Sequence, residues 1–241
     1  MMQKKIELLR KTGHIHQVAD VTPIEYREGR ADKLSAWQVK NGPLSFTVMQ
    51  GKGMDLSELS YKGVNFSFLS KPGLQGRNQY DTNGQEALRS IMGGMLFTCG
   101  LENICAVYQN GETQYPMHGR IRTTPAEHTA VRTRWTSEGY EMELYGEMRE
   151  AELFGENLVL KRTITTIWPK KEIQIRDVIE NQGFREEPLM LLYHINAGYP
   201  LLDEEAEILI PARKTTPRDA DAKRQMENWS TMEAPVDNET E

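Results

Sequence analysis

Apolar and polar positions alternate with a period of two along much of the chain. Residues 129–135 (TAVRTRW), 140–148 (YEMELYGEM), 157–168 (NLVLKRTITTIW) and 172–181 (EIQIRDVIEN) carry the alternation, and Glu138-Gly139, Phe154-Gly155 and Trp168-Pro169 separate or end them. Successive side chains of a strand point to opposite faces, so Ile164 and Thr166 share one face and Thr165 and Ile167 the other. The alternation changes phase at Asp177-Val178, which predicts a bulge or a polar residue turned into a pocket. Residues 44–49 and 64–69 predict strands in which Phe46 lies with Val48, and Phe66 with Phe68. Asn41-Gly42 and Lys62-Gly63 are turn sequences. Residues 3–12 predict a short helix with Ile6, Leu8 and Leu9 on its apolar side, stopped by Gly13. Residues 71–87 predict a long loop of the kind that carries function. Within the apolar run 88–99, Gly93-Gly94 predicts close backbone approach or a bend.

Strands recur about every 10–15 residues with no helix-length crossover between them, which favours an antiparallel sandwich or barrel over alternating β and α units. The expected fold class is therefore all-β, and residues 1–241 read as a single β-sandwich domain. The polar tail, residues 214–241, holds one Trp and no closing apolar strand. The chain is expected to end in a flexible extension or to stop short of its last sheet strands.

Composition narrows the partners. With 29 basic and 35 acidic residues the formal net charge is -6, so no nucleic-acid partner is expected, since phosphate binding calls for a basic field. No apolar run reaches the roughly 18–20 residues that span a bilayer, so no membrane partner is expected. The N-terminus lacks a long apolar segment and a cleavage site, and a cytoplasmic location follows by default. Two cysteines are no disulfide framework.

Two segments concentrate candidate chemistry. YPMHGRIRTTPAEH (115–128) holds His118, Arg120, Arg122, Glu127 and His128. An imidazole can donate a proton to an oxygen near neutral pH, and a guanidinium offers a fixed fork of donors to hydroxyls or carboxylates. In MLLYHINAGYPLLDE (190–204) an apolar run leads to His194 and Asn196. If 191–196 is extended, Leu192, His194 and Asn196 share a face, and two polar groups there need partners when buried. A sugar is one such partner and an internal polar network is the other. Cys99, Cys105, His118 and His128 offer metal-ligand chemistry, but the Cys-x₅-Cys spacing is wider than in zinc knuckles. No metal is expected, and both cysteines read as buried thiols. The glycine-rich pieces match neither a phosphate loop nor a dinucleotide fingerprint, and no G-x-S-x-G elbow occurs.

GMDLSELSYKG (53–63), GGMLFTCGLEN (93–103), PMHGRIRTTPAEH (116–128) and YHINAGYPLLDE (193–204) together resemble the DUF4432 branch of the aldose 1-epimerase-like proteins, in the galactose mutarotase-like superfamily. The resemblance implies a large antiparallel β-sandwich with a sugar pocket on its concave face. It implies interconversion of sugar anomers without a cofactor, on a small-molecule sugar. A carboxylate takes the anomeric proton while a histidine protonates the ring oxygen. By motif, His194 resembles the ring-oxygen acid and His118 the histidine that contacts the pyranose beside it. Arg89 resembles a sugar-hydroxyl arginine, and Arg120 and Asn196 would orient substrate or the histidines. The family's general-base glutamate lies on a strand well past the second histidine motif, and nothing after residue 204 reads as that strand. The competing reading is a non-catalytic carbohydrate-binding protein on the same scaffold, using Trp135, Trp168, Trp229 or Tyr199 as stacking surfaces. The catalytic reading requires that His118 and His194 converge.

Overall fold

The computed structural model describes residues 2–76 and 84–235. Its strands are β1 (Ala19–Glu25), β2 (Ser35–Asn41), β3 (Leu44–Met49), β4 (Asp55–Tyr61), β5 (Val64–Asn65), β6 (Phe97–Leu101), β7 (Tyr108–Asn110), β8 (Thr113–Tyr115), β9 (Glu127–Trp135), β10 (Tyr140–Ala151), β11 (Asn157–Trp168), β12 (Ile173–Asn181) and β13 (Met190–His194). The N-terminal helix α1 (Met2–Thr12) forms as expected, and Gly13 follows it at φ +67°. A second short helix, α2 (Ala220–Arg224), is capped by the Asp219 carboxylate.

Strands β1 to β5 form a five-stranded antiparallel sheet, and β9 to β12 form a four-stranded one. Alternation gives each sheet an apolar face, and the two faces meet. Val39, Phe46, Val48 and Leu56 of the first pack into one core with Met142, Leu144, Leu160 and Ile164 of the second. This is the antiparallel sandwich that the patterning calls for. Full burial of side chains of this size stabilises by about 1.5–3 kcal/mol each. At one corner the Asn41 amide donates to Thr166 Oγ1 (2.5 Å) and to the Lys170 carbonyl (2.9 Å), tying β2 to the end of β11. The Lys62-Gly63 turn joins β4 to β5 with both residues at positive φ (52° and 82°), the geometry that suits tight hairpins.

Two strand expectations change. Residues 64–69 pair as a strand only over Val64–Asn65, after which Ser67 and Leu69 make isolated bridges to Ala197 and Gly93. Ser67 is the buried residue there, while Phe68 and Leu69 are exposed. The phase shift at Asp177-Val178 is not a bulge, because β12 pairs with β11 without a register break. Asp177 keeps the inward position and pairs with buried Arg162, so Val178 is turned outward. The predicted loop 71–87 ends in a short 3₁₀ turn over Gly84–Arg89, and its residues 77–83 lie outside the described residues. Gly93 and Gly94 do permit close approach: a Cβ on Gly94 would lie 2.6 Å from the Leu56 carbonyl oxygen. After β13 the described residues form no further strand, only a bridge between Glu207 and Thr231. No helix among the described residues is long and apolar enough to cross a membrane.

Candidate active site: two imidazoles meeting over Phe97

The antiparallel ribbon of β6 and β13 sets His194 directly opposite Phe97. His118 arrives from a separate turn. The three rings then pack edge to face: His118 to His194 at 6.0 Å between centroids, His118 to Phe97 at 5.8 Å, and His194 to Phe97 at 6.4 Å. Residues 76 positions apart (194 − 118) therefore share one partly exposed site.

His118 sits at φ +61°, a region that costs energy for a residue with a side chain. Backbone bonds hold it there. Its N–H donates to the Cys105 carbonyl (2.8 Å), and its own carbonyl accepts from Gly100 (3.0 Å). The Asn103 amide laces the same turn by donating to the carbonyls of Ala106 (2.8 Å) and Pro116 (2.9 Å). Nδ1 of His118 lies 2.9 Å from the Ile104 carbonyl oxygen. A carbonyl only accepts, so Nδ1 is the nitrogen that carries a proton there.

The other candidates have protein partners. Arg120 pairs with Glu102, and Arg89 pairs with Glu86 on an exposed 3₁₀ turn (3.3 Å). The ladder of β13 with β6 ends at His194, so Asn196 is not paired to β6. The Asn196 amide instead donates to the carbonyls of Gly94 (3.0 Å) and His194 (3.3 Å). It fixes backbone next to His194, and the alternating burial of residues 192–196 keeps Leu192, His194 and Asn196 on the less exposed face.

Buried polar groups adjoin these segments, of which sequence reading named Arg122 but not Lys52 or Gln75. Arg122 donates to the Met117 carbonyl (3.2 Å) and to Ser90 Oγ (3.2 Å), bridging the segments that carry His118 and Arg89. Gln75 donates to the Arg89 carbonyl (2.6 Å), and Lys52 to the Gln75 carbonyl (3.2 Å). Burial, reinforced by the repulsion between the two cations, pushes Lys52 down to about 8, and burial pushes Arg122 down to about 10. The sequence signal was present: both are cations set among residues that read as turn or core.

Glu150, at the inward end of β10, is 3% exposed and accepts from the Leu101 N–H. Burial pushes its carboxyl up to about 7, opposed by the Leu101 bond and the Arg120 charge. A raised carboxyl favours the folded state below its unfolded pKa, and that contribution is lost as pH rises through the folded value. Glu150 therefore costs about 3 kcal/mol by pH 8 relative to pH 4.5. Glu150→Gln is expected to close most of that gap. Urea unfolding at pH 5 and pH 8 checks it: the variant should gain on the wild type only at pH 8, and an equal difference at both pH values would count against it.

The four sulfur and imidazole groups weighed for a metal do not converge. Cys99 is buried, its thiol pushed up to about 12 by burial, whereas Cys105 is exposed, contrary to the expected pair of buried thiols. Among the described residues the cluster able to hold a cation is Glu127, His128 and Glu147. It is already engaged internally: His128 contacts Glu147 (3.2 Å), Tyr145 donates to Glu147 (2.6 Å), and Arg149 donates to Glu127 (3.2 Å). Two surface hollows, one of about 500 Å³ lined in part by Leu34, Gln50, Gly76 and Pro125, include neither imidazole of the pair.

The two packed antiparallel sheets define the class of the fold, a β-sandwich. The chain belongs to the DUF4432 family, described as a domain of unknown function, whose model matches residues 32–241. Among solved structures it is similar to a candidate aldose 1-epimerase from Klebsiella pneumoniae, with a TM-score of 0.83, 20% identity, and coverage of 90% of this chain and 58% of that one. The chain thus spans little more than half the length of that relative. A galactose mutarotase-like protein from Clostridium acetobutylicum matches with a TM-score of 0.49 and 14% identity, over 74% of this chain and 54% of that one. No curated protein sequence matches the chain.

Proposed function

We propose that this chain interconverts the anomers of a free sugar by general acid–base ring opening, in the manner of an aldose 1-epimerase. The observation that carries the reading is the meeting of His118 and His194 at 6.0 Å, one from a turn and one from a strand end. In this reading the protonated His194 gives its proton to the ring oxygen while a carboxylate takes the anomeric proton. The C1–O5 bond breaks, and the electron pair of the former O–H bond forms the C1 carbonyl. Rotation about C1–C2 and reclosure return both protons and give the other anomer. His118 contacts the sugar next to the ring oxygen. Arg89, Arg120 and Asn196 address the remaining oxygens. For the two arginines this means exchanging Glu86 and Glu102 for substrate, which is inexpensive for the exposed Arg89–Glu86 pair, since such pairs are worth only about 0–1 kcal/mol.

Sugar recognition without turnover is the second reading. It is favoured by the exposure of Tyr199 (76%) and Trp229 (39%), aromatic faces on which a pyranose can pack, whereas Trp135 and Trp168 pack against the core. Exchange NMR on anomers of glucose, galactose and rarer aldoses separates the two. The catalytic reading expects α–β cross-peaks to grow faster with protein for at least one sugar. Saturable binding with spontaneous exchange rates throughout would establish recognition alone.

A further inference from the structure

Arg162 lies inside the sandwich with no exposed surface, and five hydrogen bonds converge on it. It reaches from β11 to the Gly53 carbonyl (3.0 Å), Asp55 Oδ1 (2.9 Å), Thr98 Oγ1 (2.9 Å) and both oxygens of Asp177 (2.9 and 2.8 Å). Thr98 in turn donates to Asp55 through its hydroxyl (2.6 Å) and its N–H (2.9 Å). Asp177 also accepts from the Tyr193 hydroxyl (2.8 Å). Thr98 and Tyr193 are register partners on the β6–β13 ribbon, and the next rung of that ribbon is Phe97 with His194. Side chains alternate along a strand, so Thr98 and Tyr193 face the guanidinium while Phe97 and His194 face the imidazole site. A two-stranded ribbon is marginal by itself. The clasp fastens it from behind, one residue from the rings.

We propose that Arg162 is a positioning residue for the imidazole pair, setting the approach of His194 to His118 by gripping Thr98 and, through Asp177, Tyr193. The inference rests on the proposed function for its kinetic consequence but not for its structural one. Burial opposes the charge on Arg162, and the bonds and fields of Asp177 and Asp55 outweigh it, so the guanidinium stays charged. Cutting into such a cluster therefore disturbs geometry rather than merely deleting one weak contact.

The test uses the full chain with ¹⁵N-labelled histidine and the variants Tyr193→Phe, Thr98→Val, Thr98→Ser and Arg162→Lys. Tyr193→Phe removes one partly exposed hydroxyl and should fold. It is expected to shift the ring resonances of His118 and His194 while leaving those of His14, His16 and His128 in place. Anomer exchange should fall roughly 10- to 100-fold in kcat, as expected for a sub-ångström to 1 Å displacement of a reacting group, with KM little changed. Thr98→Ser should restore what Thr98→Val loses. Unmoved His118 and His194 resonances in Tyr193→Phe would overturn the proposal, whatever the larger substitutions do to folding. Absence of exchange in the wild type would remove the proposed function instead and leave the ring resonances to decide the positioning role.

Discussion

Gly119→Ala is expected to cost at least about 4 kcal/mol, placing it among the rare severe single substitutions. Gly119 follows His118 at φ +73°, and an added Cβ would overlap the Gly100 carbonyl and lie 2.7 Å from the Asn103 carbonyl oxygen. Both obstacles are backbone, so neither can swing aside. The strands and turns they belong to are the ones that hold His118, through its bonds to Cys105 and Gly100. Gly111→Ala supplies the control. It too has a positive φ, of 61°, but nothing within 4 Å of an added Cβ, so it isolates the conformational penalty of about 1 kcal/mol. Urea unfolding of both variants measures the difference. Equal losses would show that the close approach at Gly119 can relax, and the tight lacing of the His118 turn would have to be abandoned.

His194→Ala is expected to lower kcat for anomer exchange by 10²- to 10⁴-fold, the usual contribution of a positioned general acid. KM should change far less, because proton donation to the ring oxygen matters in the transition state more than in the bound sugar. His118→Ala should raise KM as well as lower kcat, since its role is a hydrogen bond to substrate. His128→Ala is the control: its exposed ring sits beside Glu147, away from the pair. Inversion-transfer NMR at anomeric equilibrium gives these constants directly. A His194→Ala protein with wild-type exchange would remove the acid assignment.

Much of this architecture is legible in the residue pattern, for identifiable reasons. Strands β10 to β12 bury one face more than the other, so a period of two is imposed on their sequences, and the pattern reads almost to the residue. The 64–69 segment misleads because Phe66 and Phe68 look like a buried face, whereas backbone bridges to Gly93 and Ala197 fix the chain there and leave Phe68 exposed. Asp177 reveals itself as a polar residue in an inward register. Arg162 gives the same signal between Leu160 and Ile164, and the two explain each other only once β11 and β12 are paired. The candidate histidines are legible as residues but not as a pair. Their meeting depends on the β6–β13 register and on the positive φ of His118, neither of which local alternation encodes. Arg89, Arg120 and Asn196 are legible as residue types that suit sugar hydroxyls, but their partners are not: Glu102 and the Gly94 carbonyl reach Arg120 and Asn196 only through the fold.

Histidine-selective ¹⁵N NMR during a sugar titration addresses the shared site most directly, because the chain has only five histidines. The ring nitrogens of His118 and His194 should move together along one saturation curve, with His14, His16 and His128 unchanged. Movement of only one of the two, or equal drift of all five, would contradict a single sugar held between them.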